Sequence, residues 1–205
     1  TTSIVVYEEG DLQHVAVLPL GSVNITNDLA IGLRTDLDIA EIIKLEHASA
    51  ISLGKNAPKS VECKRGDEKF EFSRKDIEMV VDARLDEIFE LVDKELASID
   101  RSGKLPGGIV LTGGGANLKN LAHFVKDKLR LPVRIASLNG FSGMNDKIAK
   151  PEFAAALGLM LADLETAEMA ITKNKIRNAT KSKEKSQQFG KLFKRAGNLL
   201  ERFKT

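Results

Sequence analysis

Ile109-Val110-Leu111-Thr112-Gly113-Gly114-Gly115-Ala116-Asn117-Leu118 sets the reading of the whole chain. With Gly108 before it, the apolar run to Thr112 is short, β-branched and bounded by glycine, which is the pattern of a buried strand. Three glycines then make a turn, and Asn117 to Arg130 reads as a helix. Val133-Arg134-Ile135-Ala136 follows as a second strand, 137–150 as a loop, and Pro151 opens an apolar helix to about Ala170. Strand, glycine turn, helix and strand in that order form an α/β unit. Glycines at such a turn let the backbone approach a flat base or a phosphate, and the helix start offers unpaired N–H groups. Many strand-to-helix turns carry glycine for packing alone. Neither GxxxxGK[ST] nor GxGxxG occurs, so a P-loop and a Rossmann fingerprint are excluded.

On the N-terminal side, Thr1 to Tyr7 reads as a strand already under way, without an initiating Met. Glu8 to Asp11 is a turn and Leu12 to Leu20 a second strand, as if this hairpin were one part of a larger fold. Asn27 to Leu33 reads as a short helix closed by Gly32, and Asp36 caps a second helix, Leu37 to Ala48. Strands near 60–65 and 69–73 meet at Gly66-Asp67. Ser73-Arg74-Lys75-Asp76 resembles a capping box and opens a long helix to about Ile99, with apolar positions 77, 80, 81, 85, 88, 89, 92 and 96 on one face.

Composition narrows the function classes. The single cysteine, Cys63, excludes an intrachain disulfide framework, and His14, His47 and His123 lack metal-ligand spacing. The longest apolar run, Phe153 to Ala162, is about half the ~20 residues that a bilayer span needs. The net charge of +2 hides a split. From Lys173 onward eleven Lys/Arg face two acids, whereas the rest of the chain carries twenty Lys/Arg and twenty-seven acids. An acidic body with a basic tail points to an anionic partner for the tail.

That tail has two parts. Residues 171–187 are Lys, Ser, Asn, Thr and Gln in the main and read as a flexible linker. Residues 188–205 place Phe189, Leu192, Phe193, Ala196, Leu199, Leu200 and Phe203 on one helical stripe, flanked by Lys191, Lys194, Arg195, Arg202 and Lys204. Each large apolar side chain gains roughly 1.5–3 kcal/mol by leaving water, and a basic face beside such a stripe is the pattern of a helix lying in an anionic membrane surface. Docking onto the chain's own body and calmodulin-like recognition are the alternatives. The long polar tether argues against the first. Nucleic acid is disfavoured because the aromatics lie on the apolar stripe, not between the basic residues.

The stretch 109–118 resembles the adenosine-side motif of the actin/Hsp70/sugar-kinase superfamily. Together with Gly21 to Leu33, Ala40-Glu41-Ile42-Ile43-Lys44, Ser73 to Asp76, Asp82-Ala83-Arg84, Leu91-Val92, Pro151 to Leu159, the linker and the terminal helix, it resembles the FtsA family of bacterial actin-like division proteins. The resemblance covers that family's second half. It implies an α/β, ribonuclease H-like actin fold, with subdomain 2A at 1–33 and 106–170, subdomain 2B inserted at 34–105, the linker at 171–187 and a membrane-targeting helix at 188–205.

The resemblance further implies ATP binding, with Mg²⁺ held mainly by the half not represented here, and at most slow hydrolysis with no catalytic residue in this half. Glu41 and Lys44 would face adenosine, Gly113, Gly114 and Gly115 would pack on the base and α-phosphate with Asn117 at the helix start, and Thr1 and Thr2 would be the remnant of a phosphate loop. Hsp70-like relatives place a serine where this chain has Ala48, and Ser22 stands where the family often has glycine. Arg84 fits the position of an arginine linked to binding the C-terminal tail of FtsZ. The implied partners are that tail, anionic lipids and further copies in actin-like filaments, on the inner face of the cell membrane at the septum. A PilM-like pilus scaffold and a sugar-kinase-like phosphotransferase are the superfamily alternatives.

Overall fold

The structure is a computed structural model and describes residues 1–54, 57–137, 150–164 and 166. The linker and the amphipathic segment at 171–205 lie outside the described residues. Compactness divides the chain into Thr1–Ala154 and Ala155–Thr205. In the second unit residues 155–164 are helical. Among the described residues no helix is long and apolar enough to cross a membrane.

The first unit opens with the antiparallel hairpin of β1 (Thr2–Glu8) and β2 (Asp11–Leu18), turning on Glu9 and Gly10, both at positive φ. Two residues in that conformation match the right-handed twist of the flanking strands. Alternation sends Val6 and Leu18 into the core and leaves Val5, Tyr7, Leu12, Val15 and Val17 exposed on the other face.

Helix α1 (Ser22–Leu33) follows, with α2 (Leu37–His47), the hairpin of β3 (Ser60–Arg65) and β4 (Glu68–Ser73), and the long helix α3 (Arg74–Ser98). Strand β5 (Ile109–Leu111), a 3₁₀ turn at Gly114–Asn117, α4 (Leu121–Leu129) and β6 (Val133–Ile135) complete the unit's main elements. β5 and β6 run parallel, Ile109 opposite Val133 and Leu111 opposite Ile135. A parallel pair needs a crossover, which the 3₁₀ turn and α4 supply. This is the α/β unit expected from residues 108–136.

One core joins these elements. Leu29 of α1, Ile39 and Ile43 of α2, Val81 of α3 and Val125 of α4 are all within 1% of full burial. Seven of the eight apolar positions expected on the face of α3 are buried, and Val80 is partly so. Ser73 accepts a bond from the Asp76 backbone N–H at 3.4 Å, so only one arm of the expected capping box forms. Cys63 is buried in β3, as a free strand cysteine.

Three expectations need correction. The first helix starts five residues earlier than Asn27 and ends on Arg34 in the left-handed conformation, not at Gly32. Gly32 serves packing, because a Cβ there would lie 2.9 Å from Val80 Cγ2 of α3. Asp36 stands at the start of α2 but makes no capping bond, and its carboxylate pairs with Arg65 at 2.9 Å. The helix expected from Asn117 is interrupted. Asn117 closes the 3₁₀ turn, Asn120 sits at φ +62, and α4 begins at Leu121.

Candidate functional site

The glycine turn is held at both ends. Gly113, at φ +86, takes a conformation that disfavours a side chain, and its N–H donates to Pro151 O at 2.9 Å. The Thr112 hydroxyl donates to the same carbonyl at 3.4 Å, and the Asn117 amide donates to the Glu152 carboxylate. Above Gly113 and Gly114 no atom of the described residues lies within 4 Å of where a Cβ would stand, so among them the turn presents bare backbone. Above Gly115 that position is 3.4 Å from Ser22 Cβ. The turn therefore rests against the start of α1.

Ser22 links the turn to α2. Lys44 Nζ donates to Ser22 O at 3.5 Å, to Thr26 Oγ1 at 2.8 Å and to Glu41 Oε2 at 2.6 Å. The Thr26 hydroxyl donates to the same Glu41 oxygen at 2.5 Å. The i, i+3 spacing of Glu41 and Lys44 puts both on one side of α2, and α1 supplies the other two partners. Lys44 is 11% exposed and Glu41 is 42% exposed, so the ammonium is turned inward while the carboxylate keeps contact with solvent. Burial raises the Glu41 pKa. The hydrogen bonds from Lys44 and Thr26 and the Lys44 charge together outweigh it and hold the group below its ordinary value.

Thr1 adjoins this cluster. A Cβ on Gly21 would stand 2.7 Å from the Thr1 backbone N and O, so the start of β1 lies directly against the N-terminus of α1. The Thr2 hydroxyl is spent on Leu20 O at 2.8 Å. Thus Lys44 and Gly115 meet at Ser22, Glu41 joins them through Lys44 and Thr26, and Thr1 lies against the neighbouring Gly21. Ser22 and Thr26 were missed as site residues. The signal was available in their i, i+4 spacing, hidden because the helix was read as starting after them.

Arg84 belongs to a second place. It forms a two-pronged pair with Asp28 of α1, Nε to Oδ2 at 2.5 Å and an Nη to Oδ1 at 2.9 Å, and a further bond to Glu87 at 2.6 Å. The hydrogen bond it donates to Asp28 is the chief reason its pKa is raised. These three residues rim an open cleft of about 300 Å³ between α1 and α3, with Ile31, Gly32, Val80 and Ala83 on its walls. Asp28 and Glu87 were not singled out from the sequence. Among the described residues no group of three or more His, Cys, Asp or Glu side chains could hold a metal ion.

The family described as "Cell division protein FtsA" matches residues 1–158. The cell division protein FtsA of Pseudomonas aeruginosa is 33% identical over 167 residues, covering 80% of this chain and 40% of that protein. FtsA of Bacillus subtilis is 36% identical over 162 residues, covering 78% and 36%. The chain thus spans about two fifths of the length of the curated relatives it matches. MreB 5 of Spiroplasma citri, solved bound to AMPPNP, superposes with a TM-score of 0.56 at 16% identity, covering 78% of this chain and 49% of that one. That likeness is one of fold and places the architecture among actin-like proteins.

Proposed function

Because the chain belongs to the FtsA family of cell division proteins, we propose that it is the partner- and membrane-binding half of a division adaptor. The observation that carries this is the family match over residues 1–158, which takes in both the glycine-turn cluster and the Arg84 cleft. In this reading subdomain 2A is 1–33 with 106–170, and 2B is 34–105. The intact protein binds ATP, assembles head to tail with further copies, holds the FtsZ tail on 2B, and reaches the inner face of the membrane through 188–205.

The nucleotide part is supported by chemistry at the cluster. Bare backbone at Gly113 and Gly114 suits the flat face of adenine, and the exposed Glu41 carboxylate is an acceptor for sugar hydroxyls. These residues fit an adenosine and offer no clamp for a triphosphate, so the chain by itself binds ATP no better than high-micromolar. ATP, when bound, supplies charge and bulk that set the conformation for assembly. Mg²⁺ is assigned to the half of the family fold outside this chain.

The partner part is supported by the Arg84 cleft. Its apolar walls and charged rim suit a short peptide that carries both apolar and acidic side chains. An incoming carboxylate replaces the more exposed Glu87 on the guanidinium, an exchange that keeps Arg84 paired and releases the Glu87 carboxylate to solvent. Fluorescence anisotropy with an FtsZ C-terminal peptide tests it. Micromolar binding is expected, weakened at least tenfold by Arg84→Glu, with unchanged circular dichroism. No binding to the folded chain, or equal binding by the variant, rejects the assignment.

A further inference from the structure

Thr26 is the centre of the bonding around Glu41 and Lys44. It is 6% exposed and among the few buried polar side chains of the described residues. Its single hydroxyl both donates to Glu41 Oε2, at 2.5 Å, and accepts from Lys44 Nζ, at 2.8 Å. A hydroxyl used in both directions has a fixed rotor and a fixed χ1. Lys44 spends its three protons on Glu41, Thr26 and Ser22 O. Both bonds to Glu41 fall on Oε2, and no hydrogen bond to Oε1 is found among the described residues. The carboxylate is thus locked through one oxygen, leaving the other open on the solvent side, where Glu41 is 42% exposed.

We propose that Thr26 is a positioning residue for nucleoside recognition, holding Glu41 so that its Oε1 accepts from a ribose hydroxyl. The inference rests on the nucleotide reading above. A carboxylate on a helix has several rotamers, and one that must find its rotamer on binding loses affinity for the ordering. Fixing it beforehand from α1 removes that cost. The hydroxyl does this without touching the ligand. It also explains why the site needs α1 and α2 together: the acceptor sits on α2 and its lock on α1.

Thr26→Val keeps the branched shape and removes the hydroxyl, whereas Thr26→Ser keeps the hydroxyl. The full chain is followed by NMR. One readout is the acid titration of the Glu41 side-chain carbon. The other is the affinity for ATP and for 2′-deoxy-ATP, from amide shifts at millimolar nucleotide. In the parent chain Glu41 titrates below the usual carboxylate range, and ATP binds about five- to tenfold tighter than 2′-deoxy-ATP, the net worth of one ordinary hydrogen bond. In Thr26→Val the titration moves up towards the usual range and the preference for ATP falls below about twofold. Thr26→Ser restores both.

An unmoved Glu41 titration in a folded Thr26→Val overturns the positioning role, whatever the nucleotide does. A moved titration with an intact ATP preference shows that the lock exists but does not serve the sugar, and also overturns the inference. Absence of any ATP-induced shift in the parent chain rejects the nucleotide reading itself. It is recognised separately, because the Glu41 titration needs no ligand.

Discussion

At the scale of single residues, the Glu41–Lys44 pair is more than the surface ion pair that its spacing alone suggests. Exposed i, i+3 pairs contribute a few tenths of a kcal/mol. Here Lys44 is largely buried and has three acceptors, so removing Glu41 leaves a poorly paired ammonium. The pH dependence has a definite sign. The folded-state pKa of Glu41 lies below its unfolded value. Its contribution is therefore complete above the ordinary carboxylate range and is lost as pH falls through the folded-state pKa. Glu41→Gln is expected to lower stability at pH 7 by roughly 0.5–1 kcal/mol, the upper part of the exposed-pair range because the carboxylate is still two-fifths exposed. Urea midpoints of parent and variant should converge as the pH is taken towards 3. A gap that stays constant over this range would show that the carboxylate charge is not what stabilises the pair.

At the scale of elements, the long periodic segments were legible and the irregular ones were not. The face of α3 repeats over 25 residues, so its period dominates local preference. α1 was read short because Val23, Ile25 and Thr26 are β-branched and weak helix formers. Packing of Ile25 and Leu29 into the core overrides that preference. The 3₁₀ turn at Gly114–Asn117 was read as the start of a helix because nothing local distinguishes one tight turn from the next. The break comes from Asn120, a residue type that tolerates the left-handed region. Glu41, Lys44 and the glycines can be named from the resemblance, but not the contacts of Lys44 and Gly115 with Ser22 or of Glu41 with Thr26, which depend on how α1 packs.

The glycine before β5 gives a sharp test at this scale. Gly108 is at φ +72, and a Cβ there would stand 2.3 Å from Pro132 O, the carbonyl that accepts from Ile109 N–H at 2.7 Å. Gly103 has a similar φ of +63 but, among the described residues, nothing within 4 Å. Gly103→Ala should therefore cost only the conformational term, about 1 kcal/mol. Gly108→Ala adds a collision with backbone beside the β5–β6 pair and should cost at least ~2 kcal/mol more. Chemical denaturation of both variants checks this. Equal losses would mean that the β5–β6 connection gives way easily.

At the scale of the whole molecule, the charge split separates two tasks. The part before Lys173 is acidic and the remainder strongly basic. The described fold accounts for the first, and the family match ends at residue 158. In the proposed function attachment rests on 188–205, whose five flanking cations would each contribute about 1 kcal/mol near an anionic surface and less as salt screens them. A single amphipathic helix of the proposed kind binds reversibly. Joining copies raises the local concentration of helices and can strengthen attachment by about 10²–10⁴ without a new contact. Three outcomes follow in vesicle co-sedimentation. The full chain should pellet with anionic vesicles and scarcely with neutral ones, and removal of 188–205 should abolish pelleting. Raising salt from 0.05 to 0.5 M should weaken a monomer strongly and a chain fused to a dimerising coiled coil far less. Equal pelleting with and without 188–205 would locate the lipid contact in the acidic body, where the charge opposes it, and would end the anchor assignment. Pelleting that depends on 188–205 but not on dimerisation would keep the anchor and remove the need for assembly. The comparison thus decides whether membrane attachment belongs to one molecule or to the polymer.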